Sequence, residues 1–359
     1  MRGQAALRQH NVGQSIMGKS AECRRRGDAP GRSSNRGNGP MSEIQGSDSG
    51  SADAGPWVAL LGGEYERWVA APATGASDGW VPLTDLGILE FRGAQCGDFL
   101  QGYVTRETLN ANPEEARFAA TCDIRGRTTS NGWLMFGDGI IRYRTHATLL
   151  SPLADNLKRY AVFSRTELAN SSLVGVGLLG VPPAFLDLPT DAPTGRLVAL
   201  EGGHALRTFA GWELWLEPTT VASMLPNLPA PLPHAAWQSA AIAAGVVTVV
   251  PETSELWLPQ AWGANRLQAV DFDKGCYLGQ EVVARLQHRG ESKRTLCRLA
   301  SDSVDPAAAP GDALVDHDGR NIGHLAAVAH QQGTGASALA VLGRDALPAT
   351  WKLIERYEA

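Results

Sequence analysis

The pattern of apolar and polar residues divides the chain near Trp57, before which no helical or strand periodicity is present. After this point, apolar residues recur at the spacings of strands and amphipathic helices. The pattern predicts strands at 86–91, 117–123 and 128–136 and helices at 97–109 and 146–160. A strand, a helix and a hairpin in this order indicate a domain of mixed α and β structure.

After the predicted helix at 146–160, the sequence pattern predicts shorter strands and a linker. Strands are expected at 167–168, 173–179, 197–200, 206–209 and 213–216, with a short helix at 184–188. Prolines between 226 and 233 mark a linker, and 237–245 predicts a further helix. Short strands after Cys297 flank a turn at 316–320, which indicates a small antiparallel barrel. The predicted fold class is therefore α+β.

The first 55 residues are rich in Gly, Ser, Asn and Arg, a composition that predicts a disordered tail. Residues 1–40 carry eight Lys or Arg and two acids, so the total charge of −5 leaves −11 on the rest of the chain. An acidic body is a poor general binder of nucleic acid, because affinity for phosphate backbones depends on Lys and Arg. We expect a dispensable extension upstream of Met41 rather than a transit peptide, because the tail has no amphipathic stripe.

Two glycine spacings match nucleotide-binding motifs without their structural context. Residues 13–20 match GxxxxGK[ST], but no strand precedes them and no helix follows. Gly175, Gly177 and Gly180 match GxGxxG, yet they fall within an apolar strand rather than after it. We therefore expect close packing at the second motif and nucleotide binding at neither.

The apolar runs and the cysteines argue against an integral membrane protein, a disulfide scaffold and a zinc ribbon. The longest apolar run, 240–250, is interrupted by Gly245 and Thr248, and it is far shorter than the roughly 18 residues of a membrane span. Five scattered cysteines without a CxxC pair indicate neither a disulfide scaffold nor a zinc ribbon. A cytoplasmic protein of a reducing compartment is favoured.

Residues 273–281 contain the strongest chemical signal. Cys276 follows Lys274 and lies between Gly275 and Gly279, a setting that can expose a sulfur and favour the thiolate. Such a cysteine serves as a nucleophile, a redox sensor or a metal ligand. The alternative is a buried structural cysteine, which spacing alone favours because most free cysteines are buried.

The string Lys-Gly-Cys-Tyr-x-Gly-Gln-Glu resembles the signature of the YgfZ family, the folate-binding proteins of iron-sulfur cluster maintenance. The similarity extends in order over about 83–299, through 99–102, 122–127 and 158–164 to Trp237. The resemblance favours a functional role for Cys276 with Lys274. The motif positions are Lys274, Gly275, Cys276, Tyr277, Gly279, Gln280 and Glu281.

This family is similar to the T-protein of the glycine cleavage system (GcvT), an aminomethyltransferase that uses tetrahydrofolate. The resemblance implies a ring of three domains with folate in the central channel. We expect a folate-binding domain from 56–161 with 234–294, a ferredoxin-like middle domain at 162–233 and a C-terminal β-barrel at 295–359, after the tail at 1–55.

The resemblance also implies a site for tetrahydrofolate or a derivative. Trp237 would be its aromatic wall, Leu86 stands where some relatives carry an aromatic residue, and Asn131 lies in the hairpin beside the ligand. Arg285 and Arg289 would bind the folate tail or a partner. The alternatives are a plain core role for Trp237 and a solvated helix face for the arginines.

The same hairpin argues against transfer chemistry. In the transferase it ends in paired aspartates, whereas residues 128–131 here are Thr, Thr, Ser and Asn. Amides and hydroxyls are poor general acids and bases near neutral pH. Asp123, before this hairpin, is expected to be a turn residue.

Three functions are compatible with these residues. The favoured one is a folate-binding accessory protein for iron-sulfur cluster assembly or repair, whose partners are cluster enzymes, including tRNA-thiolating ones, or assembly factors. The alternatives are a tetrahydrofolate-dependent one-carbon transferase and a thiol-redox enzyme, the latter requiring Cys122 or Cys297 near Cys276. We expect a monomer with no resident metal, no direct nucleic-acid contact and no membrane association.

Overall fold

The computed structural model describes residues 55–75 and 77–357, so the predicted tail up to Ala54 and the 13–20 motif lie outside the described residues. Within the described part, fifteen strands form three five-stranded sheets. The helices are α1 Gly55–Leu61, α2 Tyr65–Ala70, α3 Cys96–Gln101, α4 Leu150–Ala161, α5 Pro218–Met224, α6 His234–Ala243 and α7 Gln280–Arg289. The strands are β1 Gly79–Pro82, β2 Leu86–Arg92, β3 Arg117–Cys122, β4 Thr128–Gly137, β5 Ile140–His146, β6 Glu167–Asn170, β7 Val174–Leu179, β8 Leu197–Leu200, β9 Gly203–Arg207, β10 Trp212–Leu216, β11 Arg294–Ser301, β12 Ala313–Val315, β13 Asn321–His330, β14 Ala336–Gly343 and β15 Lys352–Arg356.

The first sheet has the order β3-β4-β5-β2-β6, with all neighbours antiparallel. Helices α3 and α4 cover one face of it, where Phe99, Leu100 and Leu157 pack against Phe91 and Tyr143. The strands predicted at 86–91, 117–123 and 128–136 are confirmed to within one residue. This mixed unit carries one side of the candidate site.

Two predicted helices of this region are too long. The helix predicted at 146–160 starts only at Leu150, because His146 ends strand β5, which the sequence pattern missed. The helix predicted at 97–109 ends at Gln101. Beyond it the chain turns inward, where the Thr105 hydroxyl donates to the carbonyl of Ala269 and accepts from the amide of Ala120.

The second sheet has the order β1-β7-β10-β9-β8 and contains the GxGxxG motif. Gly175 and Gly177 lie within β7, and Gly180 follows it directly. A Cβ atom at Gly177 would lie 2.7 Å from the Trp237 ring, so the glycine is required by packing. The interpretation of these glycines as packing positions is confirmed.

The sheets do not follow the predicted boundary at residue 162. Strand β1 comes from the first predicted domain but is an edge strand of the second sheet. Strand β6 comes from the predicted middle domain but is an edge strand of the first sheet. The division into domains therefore stays a prediction, with one strand exchanged in each direction.

The third sheet, β12-β13-β14-β11-β15, is antiparallel and confirms the short strands expected after Cys297. The turn predicted at 316–320 joins β12 to β13, and the Asp316 carboxylate accepts from the amides of Asp318 and Arg320. Closure of this sheet into a barrel stays a prediction.

One hydrophobic core joins all three sheets around α6. It includes Ile88 of β2, Trp215 of β10 and Leu339 of β14, together with Trp237 and Ile242 of α6. Helix α6 also contacts β1, β13 and β14. No helix in residues 55–75 or 77–357 is long and apolar enough to cross a membrane.

Candidate functional site

A cavity of about 400 Å³ lies beside α6, where residues of the first and third sheets approach each other. Its volume falls within the roughly 300–1,000 Å³ of small-molecule sites. The wall is largely apolar, and it includes both Trp237 and Leu86, so the structure brings these two predicted site residues together. The other lining residues are Asp85, His146, Thr148, Gln238, Ala241, Ile242, Val246, Thr248, Val250, Pro251, Glu252, Ala309, Pro310, Ala326, Ala327 and Val328.

Trp237 belongs both to the cavity and to the core. Its side chain is buried and lines the cavity from the first turns of α6. The ring also lies close to the backbone of Gly177 and Gly211, where an added Cβ would approach it to 2.7 and 3.2 Å. The position of this tryptophan is therefore compatible with both interpretations, ligand wall and core residue.

Asn131 holds a wall of the cavity without lining it. Its amide group donates to the carbonyl of Val247 and its amide oxygen accepts from the amide of Val249, both at 2.8 Å. Val247 and Val249 are buried in the opposite direction, and the alternate residues Val246 and Thr248 face the cavity. Asn131 is thus a positioning residue, and it does not touch the space that a ligand would occupy.

Asp85 and His234 form an ion pair at the cavity wall that the sequence did not reveal. The His234 ring nitrogen Nε2 lies 2.8 Å from Oδ1 of Asp85. Burial alone would raise the pKa of the Asp85 carboxyl, but the facing His234 ring lowers it to about 2. Burial alone would lower the pKa of His234, but Asp85 raises it above its ordinary value.

The other titratable groups of the cavity are His146 and Glu252. Burial lowers the pKa of His146, so its ring is neutral at pH 7, with Nδ1 2.7 Å from the Thr148 hydroxyl. Glu252 is exposed at the rim. Among the described lining residues none is Lys or Arg, so the wall carries carboxylates but no strong cation.

The motif at 273–281 forms a separate surface loop, and none of its residues lines the cavity. Lys274 is buried and its ammonium donates to three backbone carbonyls at the end of α3, those of Gln101, Val104 and Arg106. Burial lowers the pKa of Lys274 to about 8, an effect that the charges of two nearby carboxylates partly offset. The ammonium therefore donates to carbonyl oxygens and not to the Cys276 thiol, and the role of its charge in favouring the thiolate stays a prediction.

The rest of the loop is fitted against the turn between β3 and β4. Gly279 has a φ of +82°, and a Cβ there would lie 2.4 Å from the carbonyl oxygen of Asp123. The amide of Leu278 donates to the carbonyl of Gly102, and the Gln280 side chain accepts from the amide of Tyr277. The glycine and glutamine of the motif therefore fix the loop, and Glu281 lies exposed in the first turn of α7.

Cys276 is the one exposed cysteine of the four in the described residues. Burial raises the pKa of Cys122 to about 12 and that of Cys297 to about 11. Burial also raises the pKa of Tyr277. A protonated, buried Cys122 is a poor resolving thiol, which weighs against the redox hypothesis.

Arg285 and Arg289 lie exposed on α7 and do not line the cavity that contains Trp237. The expectation that they bind the tail of a ligand or a partner stays a prediction. Asp123 accepts from the amides of Arg125 and Arg127, so its interpretation as a turn residue is confirmed. The described residues contain no cluster of His, Cys, Asp and Glu that could hold a metal ion.

The fold is that of the glycine-cleavage aminomethyltransferases. The structure aligns with the glycine cleavage system aminomethyltransferase T from Bartonella henselae with a TM-score of 0.61, at 15% identity, over 75% of this chain and 79% of the other. At this identity the likeness concerns the fold alone.

Sequence similarity identifies the family of the protein more closely than the fold does. The chain is 30% identical to the tRNA-modifying protein YgfZ of Pectobacterium carotovorum over 74% of its own length and 84% of that protein. It is 31% identical to the Yersinia enterocolitica protein of the same name, over 67% of this chain and 76% of the other. A scan against protein-family models finds no match. The chain belongs to the YgfZ family.

Proposed function

We propose that the cavity beside α6 binds tetrahydrofolate or a derivative, and that the protein supports iron-sulfur enzymes in the cytoplasm. Among these we include enzymes that thiolate tRNA, since the relatives are named tRNA-modifying proteins. In this proposal the protein is an accessory factor, and its contact with tRNA is indirect through partner enzymes.

The observation that supports the proposal most is the composition of the cavity wall. The flat ring of Trp237 and the side chains of Leu86 and Ile242 offer apolar surface for a flat heterocycle. Asp85 and Glu252 add a few polar anchors to that surface. This combination of an apolar wall with few oriented polar groups is typical of sites for small organic ligands.

The polar residues of the hairpin favour binding over transfer chemistry. The Asn131 amide donates to the carbonyl of Val247 and accepts from the amide of Val249. The Ser130 hydroxyl lies within hydrogen-bonding distance of Thr121 and Tyr143, at 2.6 and 3.1 Å. Neither side chain is a carboxylate, so neither supplies a general acid or base to a bound folate.

The Cys276 loop supplies a second functional surface. Its thiol is exposed, while its neighbours Lys274 and Tyr277 are buried and fix the loop. An exposed thiol on a fixed loop is suited to contact a partner protein or a cluster transiently. Four cysteine ligands usually hold an iron-sulfur cluster, so a stable cluster would require ligands from a partner.

The experiment that tests the cavity is a calorimetric titration with tetrahydrofolate. Ala241 lines the cavity, and Ala241→Leu should fill part of it and weaken binding about tenfold or more. Ala243 is exposed on the same helix, so Ala243→Leu is the matched control and should bind like the unmodified protein. Equal affinities for the two variants would move the folate site elsewhere.

A second experiment separates binding from transfer. The purified protein is incubated with labelled methylene-tetrahydrofolate and amine acceptors, and the label is followed. We expect bound folate without turnover. Multiple turnovers would instead establish the one-carbon transferase.

A further inference from the structure

Large apolar side chains are exposed to water around the Cys276 loop. Phe163 is 87% exposed, Ile124 78% and Val162 73%. Contiguous apolar surface of this kind marks interaction sites, because burial against a partner removes it from water. The set is named the Phe163 surface, and its members are Ile124, Tyr160, Val162, Phe163, Leu278 and Val282.

One side of the Phe163 surface reaches the loop through the segment that follows α3. The amide of Leu278 donates to the carbonyl of Gly102 at 3.0 Å. The ring of Tyr103, the next residue after Gly102, lies 6.0 Å from the ring of Tyr160 near the end of α4. Phe163 follows in a short turn that also contacts α3. The loop is therefore connected to Phe163 through one tyrosine pair.

The other side reaches the loop through the β3–β4 turn and α7. Gly279 approaches this turn so closely that a Cβ atom there would lie 2.4 Å from the carbonyl oxygen of Asp123, and exposed Ile124 is the next residue. A Cβ atom at Gly126 would lie 3.0 Å from Cβ of Val282, in the first turn of α7. The loop that carries the thiol therefore has exposed apolar side chains on both flanks.

The segments that carry the Phe163 surface are basic, although the whole chain is acidic. Segments 123–127, 158–165 and 273–289 contain eight Lys or Arg and three acids, a formal charge of +5, whereas the whole chain carries −5. Arg125 and Lys158 are paired with acids in the structure. Four further arginines are exposed, and their guanidinium groups form no ion pair or hydrogen bond within the described part of the chain: Arg159, Arg165, Arg285 and Arg289.

The charge distinguishes between the possible occupants. A second copy that docked through the same face would place like charges opposite each other, which is unfavourable. Residues 1–40 carry eight Lys or Arg and two acids, so this segment would be repelled as well. RNA would match the charge, but single-stranded RNA is bound by stacking its bases on aromatic side chains. Four of the six members are aliphatic instead, namely Ile124, Val162, Leu278 and Val282.

We infer that the Phe163 surface docks a partner protein that presents apolar residues within an acidic rim, beside the exposed Cys276 thiol. The inference rests on the proposed function, in which the partners are iron-sulfur enzymes or their assembly factors, and it specifies where they bind. Six apolar residues and four unpaired arginines are fewer than the roughly 20–30 residues a side of a stable interface. The complex is therefore transient, as a factor that serves several enzymes requires.

A charge in the apolar centre tests the surface. In cells that lack the protein, Phe163→Asp should restore the activity of a tRNA-thiolating iron-sulfur enzyme at least about tenfold less well than the unmodified protein. Phe185 is 55% exposed and lies outside the surface, so Phe185→Asp is the matched control and should restore it fully. Phe163 belongs neither to a core cluster nor to the cavity. Its variant should therefore keep the melting temperature and the affinity for tetrahydrofolate.

Arg159 tests the sign of the charge. Arg159→Glu should reduce the restored activity by about tenfold, because it places a carboxylate opposite the acidic rim. Arg159→Lys keeps the charge and should stay within about twofold of the unmodified protein. Lys352→Glu makes the same reversal at an exposed position of β15 and is the control, which should change nothing.

Photo-crosslinking identifies the occupant. Benzoyl-phenylalanine is placed at position 163 of the full chain in intact cells, and the cross-linked species is identified by mass spectrometry. We expect an iron-sulfur enzyme or an assembly factor, and we expect Arg159→Glu to remove the cross-link. RNA, a second copy of the chain, a protein unrelated to iron-sulfur clusters or no cross-linked species would overturn the inference.

The outcomes separate the inference from the proposal on which it rests. If Phe163→Asp and Arg159→Glu both support the cluster enzymes like the unmodified protein, the inference is wrong and the proposed function stands. If the unmodified protein itself does not raise cluster-enzyme activity in cells that lack it, the proposed function is wrong, and the inference is wrong with it.

Discussion

The cavity beside α6 and the Cys276 loop are built in contrasting ways. The cavity collects side chains from β2, α6, the 246–252 segment and β13, and only Trp237 and Leu86 among its lining residues were expected from the sequence. The loop is one continuous segment, and buried Lys274 and Tyr277 alternate in it with exposed Cys276 and Leu278. A loop fixed by its own residues leaves a local signature in the sequence, whereas a cavity assembled from distant segments does not.

The contrast extends to the chemistry of the two regions. The cavity presents an apolar wall with an ion pair, which suits reversible binding of a small ligand. The loop presents one exposed thiol and contacts backbone groups of the segment that follows α3 and of the β3–β4 turn. We therefore attribute ligand binding and partner chemistry to different places.

The largest effect is expected at the loop. Cys276→Ser should retain the fold, because an exposed thiol contributes little packing, yet should abolish the support of cluster enzymes in cells that lack the protein. Cys276→Ala should fail in the same way if sulfur chemistry is required. The measurements are melting temperature, cellular complementation and peptide-resolved alkylation, in which Cys276 should react faster than Cys96, Cys122 and Cys297. Full rescue by Cys276→Ser together with slow alkylation would assign the cysteine a purely structural role.

The next effect concerns the stability of the loop. Lys274→Met removes the donor from three carbonyls, and buried acceptors without partners cost about 1–3 kcal/mol each. We expect a loss of about 3 kcal/mol in the free energy of unfolding, measured in urea. Lys158→Met is the control, since Lys158 forms an exposed pair with Asp155, and exposed pairs contribute about 0–1 kcal/mol. Similar losses for both variants would contradict the role of Lys274.

A smaller effect concerns the ion pair of Asp85 and His234 at the cavity. Its contribution to the free energy of unfolding should depend on pH. The raised pKa of His234 means that the Asp85 pair stabilises the fold fully below the ordinary histidine pKa of 6.5 and loses this effect as pH rises through the raised value. Asp85→Asn should therefore cost about 2 kcal/mol at pH 6 and less at pH 9. The pKa of His146 is lowered by burial, so its ring titrates at lower pH than that of His234. A cost that is constant from pH 6 to 9 would exclude the ion pair as its source.

The smallest effect is expected at α7. Arg285→Ala and Arg289→Ala should leave the affinity for tetrahydrofolate within about twofold of the original, because neither arginine lines the cavity. A titration of the double variant checks this. A loss of tenfold or more would extend the ligand site to α7 and join the two regions that the structure separates.

How much of the fold could be predicted from the sequence depends on how far apart along the chain the interacting residues lie. The hairpin of β3 and β4 and the strand β2 were predicted because apolar runs and the Gly126 turn lie within a few residues of each other. Strand β5 was missed because it carries Arg142 and Arg144, and the buried partner of Arg144 is Glu213, 69 residues away. A pattern of neighbouring residues cannot show that a charged residue will be buried with a distant partner.

The sequence separation of interacting residues also limited what could be predicted of the candidate site. The Lys274 motif was visible, but its role was not, because the carbonyls that it binds lie about 170 positions earlier. Asp85 and Glu252 belong to no motif, and only the fold brings them to one wall. Asp85 directly before Leu86 was the one available signal, a carboxylate next to a predicted ligand position.

We infer that ligand binding and the chemistry of Cys276 occupy separate regions of the molecule. The most direct test is a tetrahydrofolate titration of Ala241→Leu and Cys276→Ser side by side with the unmodified protein. We expect that Ala241→Leu loses affinity by about tenfold or more and that Cys276→Ser binds like the unmodified protein. The opposite result, with affinity lost in Cys276→Ser and retained in Ala241→Leu, would contradict it.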